Sequence, residues 1–109
     1  MRNDTAGKDR FEPIGNVDKI IHEPARLSIM AHLYVVESAD FTFIMRQTGL
    51  TRGNLSSHMS KLEAAGYIEV EKKFVNRKPL TVLRLTFEGR VAFQDYRRRM
   101  MKALDELPG

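Results

Sequence analysis

Between Thr42 and Thr86 the apolar residues of this chain change their period, and the change falls at a glycine. Before Gly66, Leu55, Met59 and Leu62 recur at i, i+4 and i+7, the spacing of one helix face. After it, Ile68 to Phe74 and Leu80 to Thr86 alternate apolar with polar residues, as half-buried strands do. Gly49 supplies the backbone freedom for a tight turn between a short helix ending near Thr48 and a longer one over Arg52–Ala65. Thr42 and Thr51 are the expected N-caps, Ile44 and Met45 face inward, and Leu50 plugs the angle between the helices. Gly66 stands where a left-handed C-cap belongs, with Tyr67 able to fold back onto the last turn. Val75-Asn76-Arg77-Lys78 forms the turn between the strands, and Pro79 suits a strand start or an edge. The stretch therefore predicts a helix-turn-helix followed by a two-stranded hairpin.

The flanks extend this plan to a mainly α fold with a small β-hairpin, an α+β arrangement. Residues 1 to 15 are polar and of mixed charge and read as a flexible arm. From Val17 the pattern turns helical, with Val17, Ile20 and Ile21 on one face. Pro24 opens a new helix to about Glu37, with Leu27, Met30, Leu33 and Tyr34 inward. Ser38-Ala39-Asp40 breaks it, and Phe41 is expected to make a short extended contact beside the hairpin. Thr86 caps a last helix from Phe87 or Glu88 to about Leu107, with Phe93, Tyr96, Met100, Leu104 and Leu107 in one stripe. The expected organisation is an arm over 1–15, one domain over 16–87 and a C-terminal helix over 88–109.

Composition narrows the function classes. With 109 residues and 42% apolar content, one small core closes and no room remains for a separate effector domain. No apolar run is long enough to span a membrane, and Asp4, Asp9 and Arg10 interrupt the place of a signal-peptide core. Cysteine is absent, which excludes disulfides and thiolate zinc sites and suits a cytoplasmic protein. His22, His32 and His58 are scattered, and no nucleophile–base set or phosphate-cradling loop is present, so neither an enzyme nor a metal or cofactor is expected.

The net charge is only +4, but Lys72, Lys73, Arg77, Lys78 and Arg84 fall in one stretch without an acid. A basic patch beside a helix-turn-helix is the electrostatic footprint of duplex binding. Opposite Leu55, Met59 and Leu62, the third helix carries Arg52, Gly53, Asn54, Ser56, Ser57, Ser60 and Lys61, again with no acid. Short polar side chains let a helix approach base edges, where Asn pairs with adenine and Arg with guanine or phosphate. Gly53 costs roughly 1 kcal/mol in a helix but permits close approach to a sugar-phosphate backbone. The helix N-terminus itself favours phosphate. Lys72, Lys73, Lys78 and Arg84 are expected to neutralise phosphates, and Arg77 to reach a minor groove or a phosphate. His58 flanks the apolar stripe and is expected to pack there.

Three segments, IHEPARLSIMAHL, DFTFIMRQTGLTRGNLSSHMSKLEAAGYIEV and NRKPLTVLRLTFEGR, together resemble the winged-helix domains of MarR- and ArsR-like regulators of the small stand-alone type. The resemblance covers residues 18 to 90. It implies a sequence-specific regulator of transcription that binds double-stranded DNA, with Arg52–Ala65 in the major groove and Arg77 on the wing. It also implies homodimerisation through the last helix, which would bury Phe93, Tyr96, Met100, Leu104 and Leu107; the alternative is that this helix packs entirely on its own domain. The chain has Asn76-Arg77 where MarR-type wings pair an Asp with the Arg, and it lacks the cysteines of ArsR-type metal sensors. The alternative is a winged helix that docks a protein partner without specific DNA binding. That reading would favour apolar anchors on the exposed face of the third helix, where this chain has Ser, Asn, Gly and basic residues. Duplex RNA is a further, weaker rival. No effector ligand is specified.

Overall fold

In the computed structural model, which describes residues 15–108, each of the four helices from Pro24 onward starts on a side-chain oxygen that accepts the amide three residues on. Helix α1 (Pro24–Val36) begins on Glu23, α2 (Phe41–Thr48) on Asp40, α3 (Arg52–Ala64) on Thr51 and α4 (Phe87–Asp105) on Thr86. The accepted amides are those of Arg26, Phe43, Asn54 and Gly89, at 2.8, 2.8, 3.2 and 2.9 Å. Each bond satisfies one of the four donors that a helix start leaves open, worth about 1 kcal/mol apiece.

Three strands complete the fold: β1 (Ser38–Asp40), β2 (Ile68–Val75) and β3 (Lys78–Leu85). They form an antiparallel sheet in the order β1-β3-β2. The register pairs Ala39 with Leu83 and Val70 with Leu83 across the two ladders, and Val75 with Lys78 at the hairpin end. The core gathers Val17, Ile21, Ile29, Met30, Leu33, Ile44, Leu55, Leu62, Ile68 and Leu83, all buried. Leu50 packs half-buried against them, in the angle between α2 and α3.

Four local expectations are corrected. Phe41 is not extended. The extended contact is made by Ser38–Asp40, and Phe41 is the first residue of α2. The cap of α2 is therefore Asp40 rather than Thr42, because its carboxylate lies in register with the amide of Phe43. Residues 17–23 form turns instead of a helix. The Asp18 carboxylate accepts the amides of Ile20 and Ile21 at 2.8 and 3.3 Å, which offers the backbone a local alternative to helical bonding. Val17 and Ile21 still reach the core, as their spacing requires. The last helix ends at Asp105, so Leu107 lies beyond it. The expected arm, apart from Gly15, lies outside the described residues.

The end of α3 and the start of α4 share one hydrogen-bonded junction. Gly66, at φ 82°, closes α3: its amide reaches the Glu63 carbonyl and the Tyr67 amide the Leu62 carbonyl, at 2.9 and 3.0 Å. Thr86 then donates its hydroxyl to the Gly66 carbonyl at 2.7 Å, and its amide donates to the Tyr67 carbonyl at 3.1 Å. The Tyr67 hydroxyl donates to Asp18 on the far side. Burial, together with that carboxylate, pushes the Tyr67 phenol up to about 12, so the donor persists throughout the ordinary pH range.

Gly89 completes the junction. A Cβ added there would stand 2.1 Å from the Tyr67 carbonyl oxygen, which is backbone and cannot swing aside. Gly89→Ala is therefore expected to destabilise the fold by about 1–3 kcal/mol, the range of overpacked cores, despite alanine's better helix propensity. Urea unfolding measures this, and an unchanged or raised midpoint would overturn the assignment.

Candidate nucleic-acid interface

Helix α3 is fastened on one face only. Leu55, Met59 and Leu62 are buried, while Arg52, Gly53, Asn54, Ser57, Ser60 and Lys61 are exposed and Ser56 is half-buried. The Thr51 cap takes the amide of Asn54, and the amides of Arg52 and Gly53 open from the helix end. Arg52 is held in place: its guanidinium lies over the ring of Phe41, 5.3 Å from the centroid, with that ring anchored in the core. Sequence reasoning missed this role for Phe41, because it depends on where α2 starts.

His58 ties the same helix to α1. Its Nδ1 lies 3.1 Å from the Arg26 guanidinium and 3.8 Å from the Glu23 carboxylate. The Arg26 amide holds the Glu23 carboxyl below its usual range, with His58 and Arg26 adding to the effect against the opposing cost of burial. The expected packing histidine is thus a polar contact between helices. His22 instead meets the Tyr96 hydroxyl at 2.8 Å, and no three metal-ligating side chains converge among the described residues.

The β2–β3 hairpin stands beside α3 as a wing. Asn76 and Arg77 form its turn with φ of 53° and 66°, the pattern of a type I′ turn, whose twist matches that of the strands. Glycine is the residue such a turn favours in second place, so Arg77 sits there at a conformational cost. Strand alternation divides the basic residues. Lys72 shares a groove with Arg52 and Ser56 of α3, and Pro79, Leu80 and Thr81 line its other wall. Lys73 and Lys78 project from the opposite face of the hairpin, and Arg77 occupies the tip. All four are exposed.

Arg84 does not join them. It sits at the hairpin base, 3.7 Å from Glu71, in a second groove lined also by Glu63, Glu69 and Glu88. Arg84, expected as a phosphate neutraliser, is thus set apart from the other basic residues of the hairpin by the acids around it. The hairpin is basic at its outer half and acidic where it joins the domain.

The stripe expected on the last helix divides as well. Phe93 and Tyr96 are buried in the protein's own core, the first against Tyr34 at 5.0 Å between centroids, and Met100 packs half-buried behind them. Leu104 and Leu107 are exposed, together with Met101. No helix among the described residues is long and apolar enough to cross a membrane.

The family model described as winged helix DNA-binding domain matches residues 25–104. Uncharacterized protein MJ0432 of Methanocaldococcus jannaschii is 37% identical over 78 residues, covering 72% of this chain and 85% of that protein. The structure of a transcriptional regulator homologue from Pyrococcus horikoshii OT3 superposes with a TM-score of 0.81 at 30% identity, over 89% of this chain and 95% of that one. The PcaV transcriptional regulator of Streptomyces coelicolor, solved with its natural ligand, shares the fold with a TM-score of 0.69 at 19% identity, over 99% of this chain and 77% of that one. MarR-family regulators are among the proteins with this fold.

The turn geometry makes a prediction about stability. Arg77→Gly relieves a left-handed arginine worth about 1–2 kcal/mol and adds about 0.5–1 kcal/mol of glycine entropy. The variant is expected to melt at or slightly above the wild-type temperature. A fall of several degrees in a thermal scan would mean that Arg77 holds the hairpin together.

Proposed function

The chain belongs to the winged helix DNA-binding domain family, and from that premise we propose that it is a sequence-specific regulator of transcription that binds double-stranded DNA. In this reading α3 enters the major groove and the wing rests on the backbone and the adjacent minor groove. The observation that carries it is the exposed face of α3 from Arg52 to Lys61, which has no acid and meets Lys72 of the basic wing across one groove, with Asp40, the cap of α2, also in its lining. Asn54, Ser57, Ser60 and Lys61 face outward as base and phosphate contacts, and the free helix start receives a phosphate beside Gly53. Lys72, Lys73, Arg77 and Lys78 grip phosphates from both sides of the hairpin. The acidic base around Arg84 lies away from the duplex, because like charge repels it. Likeness to a transcriptional regulator homologue at 30% identity supports the regulatory role.

Selection of genomic fragments with the purified protein tests the proposal directly: enrichment of one sequence is expected, and recovery of background alone overturns specific regulation. On the selected duplex, Lys73→Ala should flatten the slope of log affinity against log salt by about one unit. Asn54→Ala should leave that slope in place and relax the preference at one base position, at about 1–3 kcal/mol.

We further propose a homodimer formed through the C-terminal part of α4. Phe93 and Tyr96 serve the protomer, whereas Met101, Leu104 and Leu107 present an apolar end for an identical surface on a second copy. Replacing Leu104 and Leu107 together by Glu is expected to convert the dimer to a folded monomer in sedimentation equilibrium. A single oligomeric state for both proteins would sink this part.

A further inference from the structure

The wing carries a large apolar side chain where a solvated hairpin has no use for one. Phe74 is 75% exposed and lies one residue pair from the turn. Its cross-strand partner is Pro79, also exposed. Val75 and Lys78 flank a two-residue turn and form a hydrogen-bonded pair, so Phe74 and Pro79 form the closer, non-hydrogen-bonded kind. Proline fits there because its missing N–H would point away from β2, along an edge that the short β1, paired only at 82–84, does not reach.

The side of the hairpin matters. Residues two apart share a face, so Phe74 and Pro79 follow Lys72 and Thr81, which follow the inward pair Val70 and Leu83. Pro79, Lys72 and Thr81 line the groove that Arg52 and Ser56 of α3 line from the other side. Phe74 is thus on the side of the wing that faces the exposed start of α3. Lys72 shares its face, Arg77 stands at the turn next to it, Lys73 and Lys78 project from the other face, and the hairpin has no acid from Lys72 to Leu83. An aromatic ring on a hairpin end whose charges are all basic, on the side that faces a helix start, suits a polyanion with apolar surface between its charges. Deoxyriboses and base steps in a DNA groove are such a surface.

We propose that Phe74, backed by Pro79, is an apolar wedge that enters the minor groove beside the Arg77 turn and partly unstacks a base step. The inference rests on the duplex-binding reading above and adds to it a specificity element that reads deformability, not hydrogen bonds. Flexible pyrimidine–purine steps under the wing are then preferred over stiff A-tracts, because they unstack at lower cost.

The test uses the full chain and the duplex it selects, with Phe74→Thr, which keeps a strand-forming residue, and Phe74→Trp, which keeps a ring. Circular dichroism first confirms the hairpin in each variant. Phe74→Thr is expected to bind about tenfold more weakly (about 1.4 kcal/mol) with an unchanged salt slope, while Phe74→Trp binds like the wild type. Energy transfer between dyes at the duplex ends should report a bend with wild type and Trp that is smaller with Thr. Exchanging the step under the wing for an A-tract should cost the wild type affinity and leave Phe74→Thr unaffected. If the wild-type chain binds the duplex and Phe74→Thr matches it in affinity and bend, the wedge is wrong while the DNA reading stands. If the wild-type chain binds no duplex, both fail together.

Discussion

The working parts of this molecule are aligned by the junction at Gly66, Tyr67, Thr86 and Gly89. There the end of α3, the base of the hairpin and the start of α4 meet within a few backbone hydrogen bonds. Thr86 uses its hydroxyl twice, donating to Gly66 and accepting from Gly89, so one side chain closes one helix and opens another. A Cβ at Gly89 would fall on the Tyr67 carbonyl, which keeps α4 tight against the strand lead-in. The angle between α3 and the wing, and the direction in which α4 leaves the domain, are both referred to this point.

Electrostatics then assigns the surfaces. Net charge is small, and the separation of charge matters more than its sum. Basic side chains occupy α3 and the outer hairpin, whereas Glu63, Glu69, Glu71 and Glu88 collect round the hairpin base with Arg84. In the proposed duplex-binding role, this separation would draw a polyanion to one end of the wing and repel it from the other, orienting the domain before any short-range contact forms. The left-handed arginine at the tip accepts a conformational cost for position, and such strain is commonly kept where function requires it.

Much of this was legible in the chain. The i, i+4, i+7 spacing of Leu55, Met59 and Leu62 implied which face of α3 is exposed, and the buried set is the same three residues. Gly49 and Gly66 have the positive φ that their places suggested, and Thr51 and Thr86 cap as expected. The misses share a cause. Asp40 and Thr42 are both good caps, and only the pairing of Ser38–Asp40 with β3 decides between them. Asp18 ended a helical pattern through a turn that hydrophobic spacing does not register. Arg84 looked like its basic neighbours because a local charge count does not register the strand pairing that sets Glu69 opposite it and Glu71 beside it, or the fold that adds Glu63.

The sequence by itself determined the elements, their inward faces and the acid-free surface of α3, because periodicity, caps and glycine conformations are short-range physics. The tertiary structure alone decided which charges stand together: Lys72 with Arg52 and Ser56, Arg84 with the acids, Phe41 beneath Arg52, and Phe74 on the side of the wing that faces α3. Those outcomes follow from strand register and from the angle between α3 and the hairpin. A one-residue slip in register would reverse every side chain of the wing, and no local signal reports the angle.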